Sequence, residues 1–255
     1  MFGARKKGCA EQWNKTLKEL DSVDTHISFL SQNDYQEVIE VCTAAFVGTD
    51  RSPGEGKVRW IFGPENVTGK PQECERFVQG TRWYATWCTN CCFDYGCVLG
   101  YRDADSGKLL GVALIMPPGT VKNGNVLTVL RMMNLGWKAR GPPLERNTKR
   151  YGKFAKERAL RAQRMMERMH RTHAAGRHWY VYMLGAHPDA QGKGVGSSLL
   201  MTVIKLSKRN GVCTYLECHA DKKAFYEKYM KCVEEKVVSN ADPNGIDMCA
   251  CSMIA

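Results

Sequence analysis

The chain has 255 residues, of which 44% are hydrophobic and 25% charged, and its formal net charge is +11. This length suffices to bury one substantial core or two small ones, and no apolar run approaches the roughly 20 residues of a membrane-spanning helix. The basic amino-terminal residues are not followed by an apolar core, so we expect no secretory signal, no membrane partner and a cytoplasmic location.

The positive charge is concentrated in one segment. Residues 138–171 contain twelve Lys and Arg residues against three Glu residues, which leaves a net charge of +9, whereas the rest of the chain is nearly neutral. Such a segment could bind phosphates or acidic proteins, with binding to nucleic acid falling steeply as salt rises. Because Tyr151 and Phe154 are its only aromatic residues, we favour a solvated basic helix face and do not expect a nucleic-acid partner.

The amino-terminal half is predicted to form short strands and helices around loops rich in glycine and proline. Capping residues and apolar positions at helical spacing mark the helices, and short apolar runs that end at turn residues mark the strands. The predicted elements are an arm or short helix at 1–24, a strand at 26–30, a helix capped by Ser31 or Asn33 that ends at Phe46, a short element at 58–62, a helix after Pro71, and paired strands at 97–101 and 109–116.

The carboxy-terminal half is predicted to be a regular alternation of helices and strands. Its predicted elements are a long helix at about 143–175, a strand ending at 184, a glycine-rich loop at 191–196, a helix from 197 to about 209, a strand at 214–218, a helix at 222–230, and strands near 234–238 and 247–254. There is no internal repeat. We therefore predict that residues 25–255 form a single α/β domain with a mixed sheet, into which a basic helical segment at about 138–175 is inserted.

Four of the 12 cysteines lie within residues 88–97, which raises the question of a metal site. Zinc sites usually combine two separated pairs, or a pair with histidines, and no histidine lies between His26 and His170. Structural thiols are therefore favoured over a metal site, and the chain is too long to suggest a disulfide framework. Further cysteines lie in apolar segments, where a free cysteine behaves as a small hydrophobe: Cys42, Cys213, Cys218, Cys249 and Cys251.

A glycine-rich loop follows the apolar, aromatic strand that ends at Leu184. Gly192, Gly194 and Gly196 alternate with other residues just before the predicted helix. Glycines at these positions remove Cβ atoms that would keep a ligand away from the backbone. The N–H groups of the loop and of the first helical turn can then point at one anion, helped by the helix dipole. The pattern predicts a cradle for a diphosphate, with a spacing unlike the P-loop or the dinucleotide motif.

The string Gln191-Gly192-Lys193-Gly194, after His187-Pro188-Asp189, resembles the acyl-CoA pyrophosphate loop of the GCN5-related N-acetyltransferases (GNAT). Within that superfamily the chain resembles the puromycin N-acetyltransferase-like branch. The resemblance spans roughly Thr25 to the carboxyl terminus and is dense from His178 to Lys228. Further matches are Leu216-Glu217 and Phe225-Tyr226-Glu227-Lys228 downstream and, more weakly, Ala44-Ala45-Phe46, Arg59-Trp60-Ile61-Phe62 and Pro117-Pro118-Gly119 upstream.

The resemblance implies the GNAT fold, a mixed and mostly antiparallel sheet flanked by helices, and acetyl-CoA as cofactor. It also implies a strand splayed by a bulge, here at Met183 to Ala186, whose backbone N–H polarises the thioester carbonyl. Gly185 is compatible with such a bulge, because glycine inside a strand often marks one. The residues expected to bind the cofactor are Leu184, Gly185, Ala186, His187, Gln191, Gly192, Lys193, Gly194, Val195, Gly196 and Ser197.

Two residues are expected to move protons. By resemblance, Tyr226 occupies the position of the general acid, and its usual pKa of about 10 lies close to the 8 to 9 of a departing thiol. Glu217 would bind the ammonium group and accept its proton. His187 and His219 are competing candidates for the base, although a structural role is favoured for each.

The sequence therefore predicts an enzyme that transfers the acetyl group of acetyl-CoA to a primary amine of a small molecule, by direct attack in a ternary complex. It is expected to be a monomer or homodimer. The alternatives are a non-catalytic acyl-CoA-binding or sensing module and an acetyltransferase of a protein or nucleic-acid-associated substrate. The first is favoured by departures from the family pattern at Lys222 and at Tyr229-Met230-Lys231. A covalent route through Cys218 is given little weight.

Overall fold

The computed structural model describes residues 16–20, 23–50, 54–63, 74–119, 154–174, 176–239 and 242–253. Within these residues, seven strands form one sheet in the order β1-β2-β3-β4-β5-β7-β6. Neighbouring strands pair antiparallel, except for the parallel pair β4 and β5. The predicted mixed, mostly antiparallel sheet is confirmed. The strands are β1 (Ile27–Phe29), β2 (Cys97–Arg102), β3 (Leu109–Met116), β4 (His178–Ala186), β5 (Cys213–His219), β6 (Lys231–Ser239) and β7 (Asp242–Met253).

Helices lie on both faces of the sheet. The first follows a 3-10 turn at Gln32–Asp34, whose capping residue Ser31 accepts a hydrogen bond from the backbone N–H of Asn33. The prediction that Ser31 begins this helical segment is therefore confirmed. The helices are α1 (Tyr35–Val47), α2 (Gly56–Phe62), α3 (Glu75–Tyr95), α4 (Ala155–His173), α5 (Val195–Arg209) and α6 (Lys223–Tyr226). None of these described helices is both long enough and apolar enough to cross a membrane.

Side chains that alternate along β3 divide the core into two layers. Val112 and Leu114 pack with α1, α2, α3 and α4, whereas Ala113 and Ile115 pack with α5 on the other face. This period of two is what an antiparallel strand buried on both faces requires. The described part of the sheet is therefore covered on both sides, and a gap between neighbouring strands would open it to a ligand.

Three helix boundaries differ from the predictions. Helix α5 begins at Val195, within the glycine motif, because Gly194 is its N-cap in the left-handed region (φ 83°). Helix α6 ends at Tyr226 and not at residue 230, because the N–H groups of Tyr229 and Met230 both bond to the Tyr226 carbonyl and turn the chain into β6. Helix α4 begins at Ala155, while residues 143–153 of the predicted helix lie outside the described residues, as do residues 1–15 of the predicted arm.

Five of the six Lys and Arg residues of α4 are exposed, in line with the predicted solvated basic face, and one is buried. Arg158 is 5% exposed and donates to the backbone carbonyl of Trp60 at 3.3 Å. Its guanidinium carbon lies 5.8 Å from the Trp60 ring centroid and 5.6 Å from that of Phe154. A planar, weakly hydrated guanidinium stacks well on aromatic rings, which explains why this cation is buried.

Among the described residues, most free cysteines are buried, Cys74 and Cys213 are partly exposed, and one pair is linked. Cys88, Cys91 and Cys92 are fully buried on α3, and burial raises the pKa of Cys88 to about 12. In the described parts of the chain, no cluster of His, Cys, Asp or Glu side chains is arranged to hold a metal ion. The prediction of a free thiol at Cys251 is wrong, because Cys251 forms a disulfide with Cys232. The two residues lie directly opposite each other on β7 and β6, with Cα atoms 4.1 Å apart.

Candidate active site

The sheet opens between β4 and β5. The two strands pair only over His178–Tyr180 and Cys213–Tyr215, and beyond these residues their hydrogen-bonded register ends. A cleft of about 470 Å³ lies where they separate, lined by residues of α1, α2, β4, β5, α6 and the glycine-rich loop. Backbone groups released from strand pairing at such a split are free to bind a ligand.

A bulge lies in β4 beside this split. Leu114 and Ile115 of β3 face Met183 and Val181, which leaves Tyr182 as the additional residue. The bulge reverses the alternation of β4, since Val181 packs with the α5 side of the sheet and Met183 packs with the opposite side. The bulge was predicted at residues 183–186, so the expected position is wrong by one residue.

Gly185, which was expected to mark the bulge, pairs regularly with Val112 of β3. A different contact requires a glycine here. A Cβ atom at Gly185 would lie 2.9 Å from the Cβ atom of Ala45, closer than real Cβ contacts allow. The glycine therefore permits close packing of α1 on β4.

The glycine-rich loop adopts the backbone that an anion cradle needs. Gly192 and Gly194 have φ angles of 79° and 83°, a left-handed conformation that other residues adopt only with strain. No atom lies within 4 Å of a Cβ built on either residue, so open space lies beside the backbone. The first turn of α5 follows directly, and its unpaired N–H groups carry the positive end of the helix dipole.

Most of the expected cofactor-binding residues meet in the cleft. His187 and Lys193 lie outside its lining. The ring of His187 accepts a hydrogen bond from the backbone N–H of Asp189 (3.3 Å) and so caps the turn that begins at Pro188, while Lys193 is exposed. The residues that line the cleft are Leu184, Gly185, Ala186, Gln191, Gly192, Gly194, Val195, Gly196 and Ser197.

Glu217 projects from β5 into the cleft. Its Oε2 atom accepts a hydrogen bond of 2.7 Å from the Tyr180 hydroxyl, and its Oε1 atom is buried without a hydrogen-bond partner among the described residues. Burial raises the pKa of Glu217 to about 7, against the opposing effects of the Tyr180 hydrogen bond, the Lys57 charge and the neighbouring Tyr215 hydroxyl. The carboxyl group thus has one unsatisfied acceptor and titrates near neutral pH.

Tyr226 lines the same cleft from α6 and is 8% exposed. Burial raises the pKa of its hydroxyl above the usual range, so the phenol keeps its proton but is a weaker acid than the expected match to the departing thiol requires. Its neighbour Phe225 packs edge-on at 5.0 Å and fixes the ring. The structure therefore places the two expected proton-transfer residues, Glu217 and Tyr226, in one cavity.

His219, the other candidate for the base, caps the 3-10 turn after β5. When the ring is neutral, its Nδ1 atom accepts a hydrogen bond from the Asp221 N–H (3.2 Å). When the ring is protonated, the same atom donates to the Asp221 carboxylate (3.0 Å), and this pairing raises the pKa of His219. The ring packs on Gly56, where a Cβ atom would lie 2.5 Å from it. These contacts give His219 a structural role, which was the role favoured for it from the sequence.

Several cleft residues were not anticipated from the sequence. Glu55, the N-cap of α2, and Lys57 within α2 both line the cavity, and Lys222 lines it from the turn before α6. Lys57 is only 6% exposed. The sequence predicted a short element at 58–62 from its apolar residues, and Lys57 lies just before that apolar run. The burial of a single lysine leaves no repeating pattern in the sequence, so the sequence did not indicate that Lys57 would line the cleft.

Comparison with solved structures shows the same fold in several N-acetyltransferases. A mosquito arylalkylamine N-acetyltransferase-like protein (5b) aligns over 90% of this chain and 99% of its own, with a TM-score of 0.51 and 16% identity. An agmatine N-acetyltransferase aligns over 90% and 100%, with a TM-score of 0.51 and 11% identity. A polyamine N-acetyltransferase of Drosophila melanogaster aligns over 90% and 99%, with a TM-score of 0.51 and 10% identity.

A mixed sheet split beside a glycine-rich anion cradle is the architecture of an acyl-CoA N-acyltransferase. Residues 153–231 match the family model described as the acetyltransferase (GNAT) family, a range that contains α4, β4, the glycine-rich loop, α5, β5 and α6. Over these residues the chain is similar to the GNAT family of acetyltransferases, and the described sheet and helices share the fold of the N-acetyltransferases above. Its place in the puromycin-like branch stays a prediction.

Proposed function

We propose that the protein transfers the acetyl group of acetyl-CoA to a primary amine of a small molecule, by direct attack in a ternary complex. The observation that supports this most strongly is the common cleft of the glycine-rich loop, Glu217 and Tyr226. An anion cradle, a proton acceptor and a proton donor within one cavity are the groups that acetyl transfer to an amine requires.

The residues of the loop fit the diphosphate of CoA. The left-handed glycines Gly192 and Gly194 leave open space beside the backbone, and the first turn of α5 adds N–H groups and a favourable dipole. When bound there, acetyl-CoA would supply a thioester as the acyl donor. Tyr182 and Met183 of the bulged segment line the cleft, and a backbone N–H released there from strand pairing would stabilise the developing oxyanion.

Glu217 and Tyr226 then divide the proton transfers between them. With a pKa of about 7, Glu217 is partly deprotonated at neutral pH, and its unpartnered Oε1 atom accepts a proton from the incoming ammonium group. Tyr226 keeps its proton and donates it to the departing thiolate. The paired Tyr180 hydroxyl fixes the orientation of the carboxylate through its 2.7 Å hydrogen bond to Oε2.

Chromatographic measurement of free CoA tests this proposal without interference from the protein's own thiols. The purified protein, acetyl-CoA and a panel of primary amines should release CoA and form one equivalent of the acetylated amine. Glu217→Gln should bind CoA normally and release it at least about 100-fold more slowly. Tight CoA binding without release with any amine would instead support the acyl-CoA-binding module.

A further inference from the structure

Lys57 is an unusual residue to find in an amine-binding cleft. It is 6% exposed, and its Nζ atom donates to the Tyr84 hydroxyl at 3.4 Å and to the Met166 sulfur at 3.6 Å. It also lies 5.5 Å from the centroid of the Tyr84 ring. Burial opposes its charge, but the neighbouring Tyr84, Glu55 and Glu217 raise the pKa of Lys57 above its usual range, so it stays cationic.

Two lysines, Lys57 and Lys222, and two carboxyl groups, Glu55 and Glu217, line the cleft. Glu55 is engaged by its own helix, because its Oε2 atom accepts a 2.8 Å hydrogen bond from the Val58 N–H and caps α2. Glu217 retains one unpartnered oxygen, Oε1. One ammonium group can therefore find an acceptor beside Glu217, whereas a second cation on the same molecule would meet the fixed ammonium of Lys57.

We propose that Lys57 determines the specificity of the cleft, selecting monoamines with an uncharged body and rejecting amines that carry a second cationic group. This inference rests on the proposed function and names its class of substrate. The uncharged part of the acceptor would contact the apolar lining that Ala45, Phe46 and Tyr182 provide. In a buried site a like charge is poorly screened, so Lys57 discriminates by repulsion and not by an added attractive contact.

Butylamine and 1,4-diaminobutane make a matched pair of probes, because they share a four-carbon chain and differ in the second ammonium group. At pH 7.5 the wild-type protein should show a kcat/KM for butylamine at least about tenfold above that for the diamine, since juxtaposed like charges are strongly unfavourable. Lys57→Met keeps the length of the side chain and removes the charge, and should reduce this ratio at least about tenfold. Lys57→Arg keeps the charge and should preserve the preference.

Lys208→Met is the matched control, because Lys208 is exposed at the end of α5 and does not line the cleft. It should leave the ratio unchanged. Equal kcat/KM values for the two amines with the wild-type protein would overturn the inference, and this measurement needs no variant to fold. A folded Lys57→Met protein that keeps the wild-type ratio would overturn it as well. Failure to release CoA with butylamine or any other primary amine would refute the proposed function itself, and the inference with it.

Discussion

The hydroxyl of Tyr180 donates a 2.7 Å hydrogen bond to Oε2 of Glu217, across the two strands that separate at this point. Tyr180 is the last residue of β4 that pairs with β5, and Glu217 lies two residues beyond its partner Tyr215. The bond therefore spans the base of the cleft and holds the carboxyl group at the split. This arrangement makes the ionisation of Glu217 the first property to test.

Activity should rise with pH as Glu217 loses its proton. The raised pKa of about 7 means that the carboxyl group is protonated below neutral pH and cannot accept a proton there. We expect kcat/KM to increase with pH and level off above an apparent pKa near 7. Glu217→Gln should lower kcat by about 10²- to 10⁴-fold and abolish this limb of the profile. An unchanged acidic limb in the variant would assign the titration to another group.

Gly194→Val should abolish CoA binding while the protein stays folded. Gly194 has a φ of 83°, and a β-branched residue in this region is strained by about 1–2 kcal/mol and displaces the backbone that begins α5. Gly107→Val is the matched control, because Gly107 has a φ of 68° in the exposed turn between β2 and β3. Calorimetric titration with CoA should show loss of binding for the first variant alone. Equal CoA affinity in the two variants would contradict the assignment of the loop.

Tyr226→Phe should lower turnover by about 10²- to 10⁴-fold, with little change in CoA affinity, because it removes a proton donor and almost no volume. Tyr35→Phe controls for the loss of a hydroxyl elsewhere, since Tyr35 donates to Asn90 (2.8 Å) on the outer helices. Steady-state kinetics and CoA titration separate the two effects. A reduction of less than about fivefold would show that Tyr226 is not the acid.

Two arginines on α4 should respond very differently to charge reversal. Arg158→Glu places a carboxylate against Trp60 and Phe154 and should destabilise the protein by about 3 kcal/mol or more, because it buries an unpaired charge. Arg161 is exposed and pairs with Glu157 at 3.9 Å, so Arg161→Glu should change stability by less than about 1 kcal/mol. Urea denaturation measures both. Similar losses would show that Arg158 is not held as described.

Only exposed arginines of the basic helix α4 are suitable for testing whether its positive charge speeds the association of CoA. Arg158 cannot be reversed for that purpose without disturbing the fold. Reversal of Arg161 and Arg164, both exposed, should slow CoA association at low salt and have little effect at high salt. Stopped-flow association rates at two ionic strengths give the comparison, and equal rates throughout would exclude steering by this helix.

The sequence predicted those features of the structure that depend on residues close to one another along the chain. The strand before the loop and the alternating glycines are local patterns, whereas Glu217 and Tyr226 were indicated by the resemblance to the GNAT family, and the structure brings all of them together in one cleft. The antiparallel hairpin of β2 and β3 was also predicted from its turn and apolar runs.

Features that depend on distant pairing could not be read from the sequence. The bulge at Tyr182 follows from the register between β4 and β3, which are separated by about 60 residues of chain. The burial of Lys57 depends on Tyr84 and Met166 from two other helices. The bond between Cys232 and Cys251 depends on the register of β6 against β7. In each case the determining contact is tertiary, and local propensity does not encode it.

The close approach of Ala45 to Gly185 has a consequence for redesign of this protein. Ala45 on α1 and Gly185 on β4 both line the cleft, and they lie so close that a Cβ atom on Gly185 would be 2.9 Å from that of Ala45. Any larger residue at either position must push α1 and β4 apart. An engineer who wished to admit a bulkier amine would therefore disturb the cofactor strand by enlarging this contact. Changes confined to α2 would alter the acceptor pocket while leaving that strand in place.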